Sequence, residues 1–390
     1  MLIDGFDVQA MGYAGPALIL DWNVPKATLG PVFGAALLGV LVGSLLFGIV
    51  ADRIGRRPVL VWATAAVAII TLLTGQASSI EHLIALRFAG GIAMGCILPN
   101  AIALAGEHSA QRLRLALMMI VGCGFTAGAA LGGLLSSWMV PTFGWRAVFY
   151  AGGAISLAVA VALALLLPES PHFQRGDLRQ TRDAGVPVVA LFQSGRASAT
   201  LLLWAIDFLV LLNLYFLSNW LPTTLQAQGR SVSDAVLMGA TLQIGGTIGT
   251  LALSWLGYRL PLTPVLTACF ALAGGCIALV GQPALPDTLL FGLIFVAGFC
   301  IVGGQPAVIA LAASCYPTAI RATGVGWVLG VGRVGAIVGP VAAGELIALD
   351  WSAQQLFSAA AVPAVISAVL MLTLRGSAVP AMVEALNSKR

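Results

Sequence analysis

The sequence predicts an all-α polytopic membrane protein with twelve transmembrane helices in two six-helix bundles. Its 390 residues are 59% hydrophobic and 9% charged, whereas a soluble domain carries about 25% charged residues. Twelve apolar stretches approach the length of about 20 residues that a membrane-spanning helix needs. Basic residues gather on one side of this helix count, which supports the number twelve independently of hydrophobicity.

The twelve stretches follow one another with short connections, except in the middle of the chain. They lie at 1–20, 30–51, 58–77, 82–106, 114–138, 146–167, 199–221, 235–257, 263–281, 288–313, 322–347 and 352–374. A polar connection that opens with Pro168 separates the sixth stretch from the seventh, because proline ends a helix. The predicted domains are an N-terminal bundle, a cytoplasmic linker, a C-terminal bundle and a cytoplasmic tail, at 1–167, 168–198, 199–375 and 376–390.

The distribution of charge predicts the orientation of the chain. Fourteen of the 19 Lys and Arg residues fall on one side of the helix count, three fall on the other side and two lie inside helices. The positive-inside rule places the crowded side in the cytoplasm. Because the number of spans is even, both termini are then cytoplasmic.

The two halves of the chain resemble each other. With a shift of 206 residues, the pair Gly39 and Gly43 meets Gly245 and Gly249, and with a shift of 207 residues Pro99 meets Pro306. An even number of helices in each repeat keeps both copies in the same orientation. We therefore expect a pseudo-two-fold axis along the membrane normal, with a substrate site between the copies near the midplane.

Other classes of function find no support in the sequence. An intramembrane enzyme needs a nucleophile–base set or metal ligands, and the chain has no H-E-x-x-H motif, nucleophile elbow or phosphate-binding loop. A sensor needs a sizeable soluble domain, and the longest connection is the linker 168–198. We interpret the six scattered cysteines as small residues inside helix contacts. We expect no enzyme activity, metal, cofactor or nucleic-acid partner.

Two carboxylates occur in the first apolar stretch, as Asp4-Gly5-Phe6-Asp7. Side chains three residues apart are neighbours on one face of a helix. Each acid at membrane depth costs roughly 2.5 to 3.5 kcal/mol on insertion scales, which indicates a functional role. The pair Asp4 and Asp7 predicts a proton-handling site. Asp207, in the seventh stretch, is either a second titrating group or a polar lining residue.

The loop after the second stretch reads from Gly48 to Pro58 as G-I-V-A-D-R-I-G-R-R-P. It needs a tight turn, and Gly55 allows one. This loop resembles the signature G-x-x-x-D-R-x-G-R-R/K of the major facilitator superfamily. In that superfamily the loop helps to hold the cytoplasmic side closed. The resemblance implies a gating role for Gly48, Asp52, Arg53, Gly55, Arg56 and Arg57.

Further motifs narrow the resemblance to one family. The motif Asp4-Gly5-Phe6-Asp7 resembles D-G-[FY]-D of the aromatic acid:proton symporter family. Other segments that resemble this family are R-F-A-G-G from Arg87, N-W-L-P from Asn219 and Y-P-T-A-I-R-A-T-G-V-G from Tyr316. The resemblance covers nearly the whole chain, although Asp207 matches no acid of the family.

The resemblance implies a proton-coupled secondary active transporter that imports an aromatic carboxylate by alternating access. The cargo would be of the hydroxybenzoate, benzoate or hydroxyphenylpropionate type. A proton-coupled exporter of the same superfamily, or an importer of a non-aromatic acid such as muconate or a sugar acid, are the alternatives. The expected partners are this small anion, protons and the lipid bilayer. We expect a monomer in the bacterial inner (plasma) membrane.

The implied anion points to particular side chains. Arg87 and Arg333 are the basic residues inside helices, and a guanidinium group can bind a carboxylate with two hydrogen bonds. A permanent Asp–Arg ion pair that only joins helices is the alternative. Aromatic partners for the ring are Phe6, Tyr13, Tyr215, Trp220 and Trp327. Polar partners for a ring hydroxyl are Asn100, Asn213, Gln243 and Gln305.

Overall fold

The structure is a computed structural model that describes most of the chain. The described residues are 1–108, 114–168, 188–193, 195–257, 259–283, 285–317 and 320–376. Within them, the side chains outside the description are those of residues 48–49, 52–53, 106–107, 114–120, 322 and 375–376. Most of the predicted linker and the predicted tail lie outside the described residues.

The described residues form fourteen α-helices and no strand. The helices are α1 (Leu2–Trp22), α2 (Leu29–Ile54), α3 (Arg56–Thr74), α4 (Ile80–Met94), α5 (Ile97–His108), α6 (Arg114–Phe143), α7 (Trp145–Leu166), α8 (Ala197–Ala227), α9 (Val232–Gly257), α10 (Leu262–Val280), α11 (Asp287–Ile301), α12 (Gly304–Cys315), α13 (Arg321–Ala348) and α14 (Ala353–Gly376). The prediction of an all-α protein is confirmed.

Eleven of the described segments are long and apolar enough to cross a membrane. Two of the eleven, Ile80–Ala105 and Asp287–Cys315, each contain a pair of helices, α4 with α5 and α11 with α12. Helix α1 has 21 residues and is long enough to be the twelfth span, but it contains Asp4, Asp7 and Asp21. Helix α1 is therefore less apolar than the other spans because of these acids, although its length is sufficient.

The two broken spans are a feature that the sequence did not predict. The breaks fall at residues 95–96 and 302–303, which a shift of 207 superimposes. Pro99 and Pro306 each follow their break within the first turn of the next helix. A proline ring clashes with the carbonyl group four residues earlier and supplies no N–H group. The repeated proline thus interrupts both helices at the same point.

A glycine forms the turn between α2 and α3. Gly55 has φ of 97°, a backbone conformation that residues with a Cβ rarely adopt. Its N–H group bonds to the carbonyl oxygen of Ala51 at 3.0 Å. The prediction of a glycine turn at this position is confirmed, and one residue suffices to join the two spans.

The chain divides into two compact units. One consists of Met1–Asp183 with Asn219–Ala240, and the other of Ala184–Ser218 with Thr241–Arg390. In the first unit α1 lies against α6, α2 against α4 and α3 against α7. In the second unit α10 lies against α14 and α11. The division into bundles at 1–167 and 199–375 stays a prediction.

Glycines bring paired helices into close contact in each unit. A Cβ atom on Gly39 or Gly43 of α2 would collide with the backbone of α4, and one on Gly91 with the backbone of α2. In the second unit, a Cβ atom on Gly245 or Gly249 of α9 would collide with α11. The glycines that match in the sequence repeat therefore make equivalent helix contacts, as small residues do in membrane helices.

Candidate functional site

The two acids of α1 are both buried. Asp4 is 6% exposed and Asp7 is 0% exposed. The hydroxyl group of Ser156, on α7, donates a hydrogen bond to Oδ2 of Asp7 at 3.3 Å. Oδ1 of Asp7 is buried without a hydrogen-bond partner among the described residues. Asp7 is therefore a buried carboxyl group that Ser156 ties to a neighbouring helix, and the hydroxyl group of Thr71 on α3 also acts on it.

Two glycines make room for the residues around this acid. A Cβ atom on Gly132 of α6 or on Gly152 of α7 would collide with the ring of Phe6. A Cβ atom on Gly152 would also lie 3.3 Å from Oδ1 of Asp7. The absence of side chains at these positions lets Phe6 lie between α6 and α7 and places Asp7 against α7.

Arg87 lies in α4 and is 5% exposed. Its Nη2 donates a hydrogen bond to Oγ1 of Thr74 at 3.1 Å, and its guanidinium carbon lies 5.2 Å from the ring centre of Phe149. Its Nε atom is buried without a hydrogen-bond partner among the described residues. A buried cation with an unused donor is costly in a closed protein, so it is a candidate for binding an anion.

Arg87 and Asp7 influence each other electrostatically. They nevertheless form no ion pair in the described part of the chain, where Arg146 and Asp21 are paired at 3.1 Å. The structure therefore does not show the alternative, a permanent ion pair between Asp7 and Arg87. Thr74 and Phe149 hold the guanidinium group instead, and both its charge and its Nε donor stay available.

Tyr13 and Trp220, two of the predicted ring partners, lie inside the first unit. Tyr13 is 1% exposed, its hydroxyl group donates to the carbonyl oxygen of Ala129 at 2.9 Å, and its ring lies against Gly133 and Gly239. Trp220 is 0% exposed and packs edge-to-face on Phe33, with ring centres 5.4 Å apart. Both aromatic side chains are occupied by protein contacts in this arrangement.

Asn100 lies four residues after the break between α4 and α5. Its Nδ2 donates to the carbonyl oxygen of Cys96 at 2.8 Å, and the side chain is 6% exposed. A break in a helix leaves carbonyl groups without their usual partners. The backbone N–H group of Asn100 also bonds to this carbonyl oxygen, so the side-chain amide adds a second hydrogen bond at the break, and its role toward a substrate stays a prediction.

In the second unit, Asp207 lies in α8 with both carboxylate oxygens buried. Gln305 of α12 and Arg333 of α13 act on this carboxylate. Gln305 does so without meeting hydrogen-bond geometry, and no ion pair joins Arg333 to Asp207 in the described residues. The structure thus brings together three residues that the sequence names separately.

Of the other predicted residues of the second unit, Trp327 is exposed, whereas Gln243, Tyr215 and Asn213 are buried. Trp327 is 42% exposed and stacks on Trp204, with ring centres 5.5 Å apart and an angle of 22°. Gln243 donates from Nε2 to the hydroxyl group of Ser218 at 3.0 Å. Tyr215 is buried, and Asn213 is 0% exposed with neither amide atom hydrogen-bonded to a described residue. Asn213 is thus a second buried polar group with unused capacity.

The comparisons with known proteins agree with each other. The profile of the Major Facilitator Superfamily matches residues 1–286. The 4-hydroxybenzoate transporter PcaK of Pseudomonas aeruginosa is 37% identical over 400 residues, which cover 95% of this chain and 89% of that protein. The 3-(3-hydroxy-phenyl)propionate transporter of Escherichia coli is 37% identical and covers 92% of this chain and 88% of that protein.

The chain belongs to the major facilitator superfamily. Within it, the chain groups with transporters of aromatic acids, as the motifs of the sequence predict. A solved structure of a bacterial homologue of the human lysosomal transporter Spinster has the same fold, with a TM-score of 0.77 at 18% identity, over 96% of this chain and 94% of that one. Membership makes the chain a multi-pass membrane transporter and not an enzyme.

The superfamily's signature loop connects α2 to α3. Arg57 donates from Nη2 to the carbonyl oxygen of Ala164 at 2.6 Å, which joins the start of α3 to the last turn of α7. The last carbonyl groups of a helix lack intrahelical partners and favour a cation. Arg56 is half-buried. The side chains at positions 48, 52 and 53 lie outside the description, so the predicted gating role of Gly48, Asp52 and Arg53 stays a prediction.

Sequence reasoning missed the neutral residues that contact the predicted charged and aromatic ones. Ser156 binds Asp7, Thr74 and Phe149 hold Arg87, and Trp204 stacks on Trp327. A serine or threonine within an apolar span is a weak signal, since such residues also bond to their own helix, as Thr64 does to Leu60. The partner could be identified only from tertiary contacts. The described residues contain no group of three metal-ligating side chains.

Proposed function

We propose that this protein imports an aromatic carboxylate together with protons, by alternating access. The observation that carries the proposal is the state of Arg87. It is a buried guanidinium group beside an aromatic ring, with an unused Nε donor and no ion pair within the described residues. The names of the relatives support a hydroxylated aromatic acid as the cargo.

Arg87 and Arg333 are both predicted to bind the carboxylate of the cargo, and the contacts among the described residues support Arg87. A guanidinium group donates two parallel hydrogen bonds to a carboxylate, and charge-assisted bonds of this kind are about twice as strong as neutral ones. Thr74 and Phe149 orient the group before the anion arrives, so little side-chain entropy would be lost on binding. The aromatic ring and the hydroxyl group of the cargo would find partners among the residues predicted above.

The acids of α1 would carry the coupled proton. Burial disfavours the charged form of a carboxyl group, whereas a nearby cation and a hydrogen-bond donor favour it. Asp7 lies among all three influences, because it is buried, bonded to Ser156 and within electrostatic range of Arg87. Binding of an anion at Arg87 would remove the support that this cation gives to the charged form of Asp7, so the anion and the proton would bind together.

Several further features belong to the same proposal. The protein would be a monomer in the bacterial inner membrane, with both termini in the cytoplasm. Its N-terminal and C-terminal bundles, at 1–167 and 199–375, would be joined by the cytoplasmic linker 168–198. The loop from Gly48 to Arg57 would hold the cytoplasmic side closed during part of the cycle.

Uptake into proteoliposomes tests the proposal. The purified protein is reconstituted, and uptake of labelled 4-hydroxybenzoate is measured with an acidic exterior and with equal pH on both sides. We expect accumulation only with the pH gradient, and competition by 3-hydroxyphenylpropionate but not by muconate or a sugar acid. Accumulation driven outward by the same gradient would instead indicate an exporter.

Two substitutions assign the roles. Asp7→Asn should reduce the accumulation that a given pH gradient drives by the contribution of one proton, while leaving exchange of labelled for unlabelled cargo at equal pH intact, because exchange moves no net proton. Arg87→Lys should raise KM, because an ammonium group cannot make the paired hydrogen bonds. Arg146→Lys makes the same change at an exposed position and should leave KM unchanged. Normal accumulation by Asp7→Asn would refute the proton role.

A further inference from the structure

Asp207 lies in the apolar helix α8 and the proton-coupled site proposed above does not use it. The side chain is 0% exposed, and neither carboxylate oxygen has a hydrogen-bond partner among the described residues. Asp7, in contrast, accepts a bond from Ser156. An ionised carboxylate that is buried without such bonds is very costly, and a group in that position becomes neutral instead. This geometry therefore suits a carboxyl group that carries its proton.

Two helices, α12 and α13, present residues to Asp207, and neither forms an ion pair with it in the described residues. On α13, a Cβ atom on Gly332 would collide with Oδ2 of Asp207, so the backbone of that helix lies directly against the carboxyl group. Arg333 follows Gly332 in the chain and acts on the same carboxyl group without an ion pair in the described residues. On α12, Gln305 is the polar neighbour.

No other titratable group of the described residues acts on Asp207. The other contacts of α8 that follow are made by amide, aromatic and hydroxyl side chains. Ser218 of α8 accepts from Gln243 of α9, and Phe216 of α8 packs on Phe357 of α14. Tyr316 bonds to Thr200, two turns before Asp207. Arg333 is therefore the cation among the described residues whose charge reaches Asp207, in addition to the effects of burial and of Gln305.

Arg333 can pair either with Asp207 or with the carboxylate of the cargo, but not with both at once. If Asp207 is ionised, a cation beside it pairs with it, because separating the two would leave the buried carboxylate uncompensated. If Asp207 carries a proton, Arg333 is free to bind the carboxylate of the cargo. Proton binding at Asp207 and anion binding at Arg333 then favour each other, and this linkage is reciprocal.

We propose that Asp207 is a second proton-binding site, which takes up a proton when Arg333 binds the carboxylate of the cargo. This inference rests on the proposed function. With one proton at the acids of α1 and one at Asp207, two protons accompany each monovalent anion. One net positive charge then enters the cell in every cycle. Transport becomes electrogenic and responds to the membrane potential as well as to the pH gradient.

The test separates the two driving forces in proteoliposomes, with 4-hydroxybenzoate as the probe. In the wild type at equal pH, an inside-negative potassium diffusion potential that accumulates a permeant cation tenfold should also accumulate the probe about tenfold, since one net charge moves. Asp207→Asn should lose this response. With a tenfold proton gradient and no potential, the limiting accumulation should fall from about one hundredfold in the wild type to about tenfold in Asp207→Asn.

Two control variants separate a proton site from a structural role. Asp234→Asn makes the same change at an exposed carboxylate at the start of α9 and should respond to the potential as the wild type does. Asp207→Glu keeps the carboxyl group and should retain the response. Exchange at equal pH should survive in all three variants. Loss of exchange in both Asp207 variants would indicate a structural residue and would overturn the inference.

The wild type alone can also overturn it. Accumulation that follows the pH gradient but ignores the potential would mean one proton per anion, which refutes the second site and leaves the proposed function intact. A response to the potential that Asp207→Asn retains in full would also refute the assignment. If the wild type accumulates no probe under a pH gradient, the proposed function itself fails, and this result is distinct from the others.

Discussion

The hydroxyl group of Ser156 on α7 donates a hydrogen bond to Oδ2 of Asp7 on α1, although the two residues are 149 positions apart in the chain. Oδ1 of Asp7 is buried without a hydrogen bond to a described residue, and the hydroxyl group of Thr71 on α3 also acts on this carboxyl group. Neutral side chains on other helices therefore contribute to where this acid lies and to how easily it can be ionised. The predictions below follow from contacts of this kind.

Ser156→Ala should reduce proton-driven uptake at least about tenfold, because a hydrogen bond to a charged group contributes about 1.5 to 3 kcal/mol. Without it, Asp7 would lose its link to α7. Ser156→Thr keeps the hydroxyl group and should restore most of the activity. Ser314→Ala removes a serine that bonds to its own helix and is the matched control. Wild-type uptake by Ser156→Ala would contradict the importance of this bond.

Gly152→Ala should impair both folding stability and uptake. Its methyl group would collide with the ring of Phe6 and approach Oδ1 of Asp7, and overpacking of this kind costs about 1 to 3 kcal/mol. Thermal unfolding in detergent and uptake in liposomes measure the two effects. Gly292→Ala is the control, because that glycine of α11 has open space around its Cβ position. Equal effects of both substitutions would show that any alanine in a span is harmful.

Tyr13→Phe should lower the free energy of unfolding by about 1 kcal/mol, the net value of a typical buried hydrogen bond, and should leave KM unchanged. The reason is that the hydroxyl group of Tyr13 is bonded to the carbonyl oxygen of Ala129. Tyr150→Phe loses a similar bond to Gly75 at a 41% exposed side chain and should cost less. A raised KM with unchanged stability would show that Tyr13 contacts the cargo, as the sequence analysis predicts.

Arg57→Ala should lower the thermal stability of the protein and its turnover rate, with no change in KM. The bond from Arg57 to the carbonyl oxygen of Ala164 joins α3 to the end of α7, and a charged donor contributes about 1.5 to 3 kcal/mol. Arg259→Ala, which removes a guanidinium group that stacks on exposed Trp255, is the control. If the two substitutions had the same small effect, the Arg57 bond would have no special role.

The positions of the spans could be predicted because each depends on local composition. The stretch predicted at 146–167 is helix α7, Trp145–Leu166, and the stretch at 263–281 is α10, Leu262–Val280. A helix in lipid must satisfy its own backbone groups, so about 20 apolar residues are sufficient to specify it. The two helix breaks escaped this reasoning because a proline within a span is often tolerated, as Pro16 is in α1.

The sequence by itself determined the helical fold, the internal repeat, the signature loop and the identities of the charged residues inside helices, Asp4, Asp7, Arg87, Asp207 and Arg333. These properties depend on residue type and on spacing along one helix. Only the tertiary structure decided that Ser156 bonds to Asp7, that Thr74 and Phe149 hold Arg87, and that Gly332 and Arg333 adjoin Asp207. Those contacts join different helices, and no local pattern encodes which faces of two apolar helices meet.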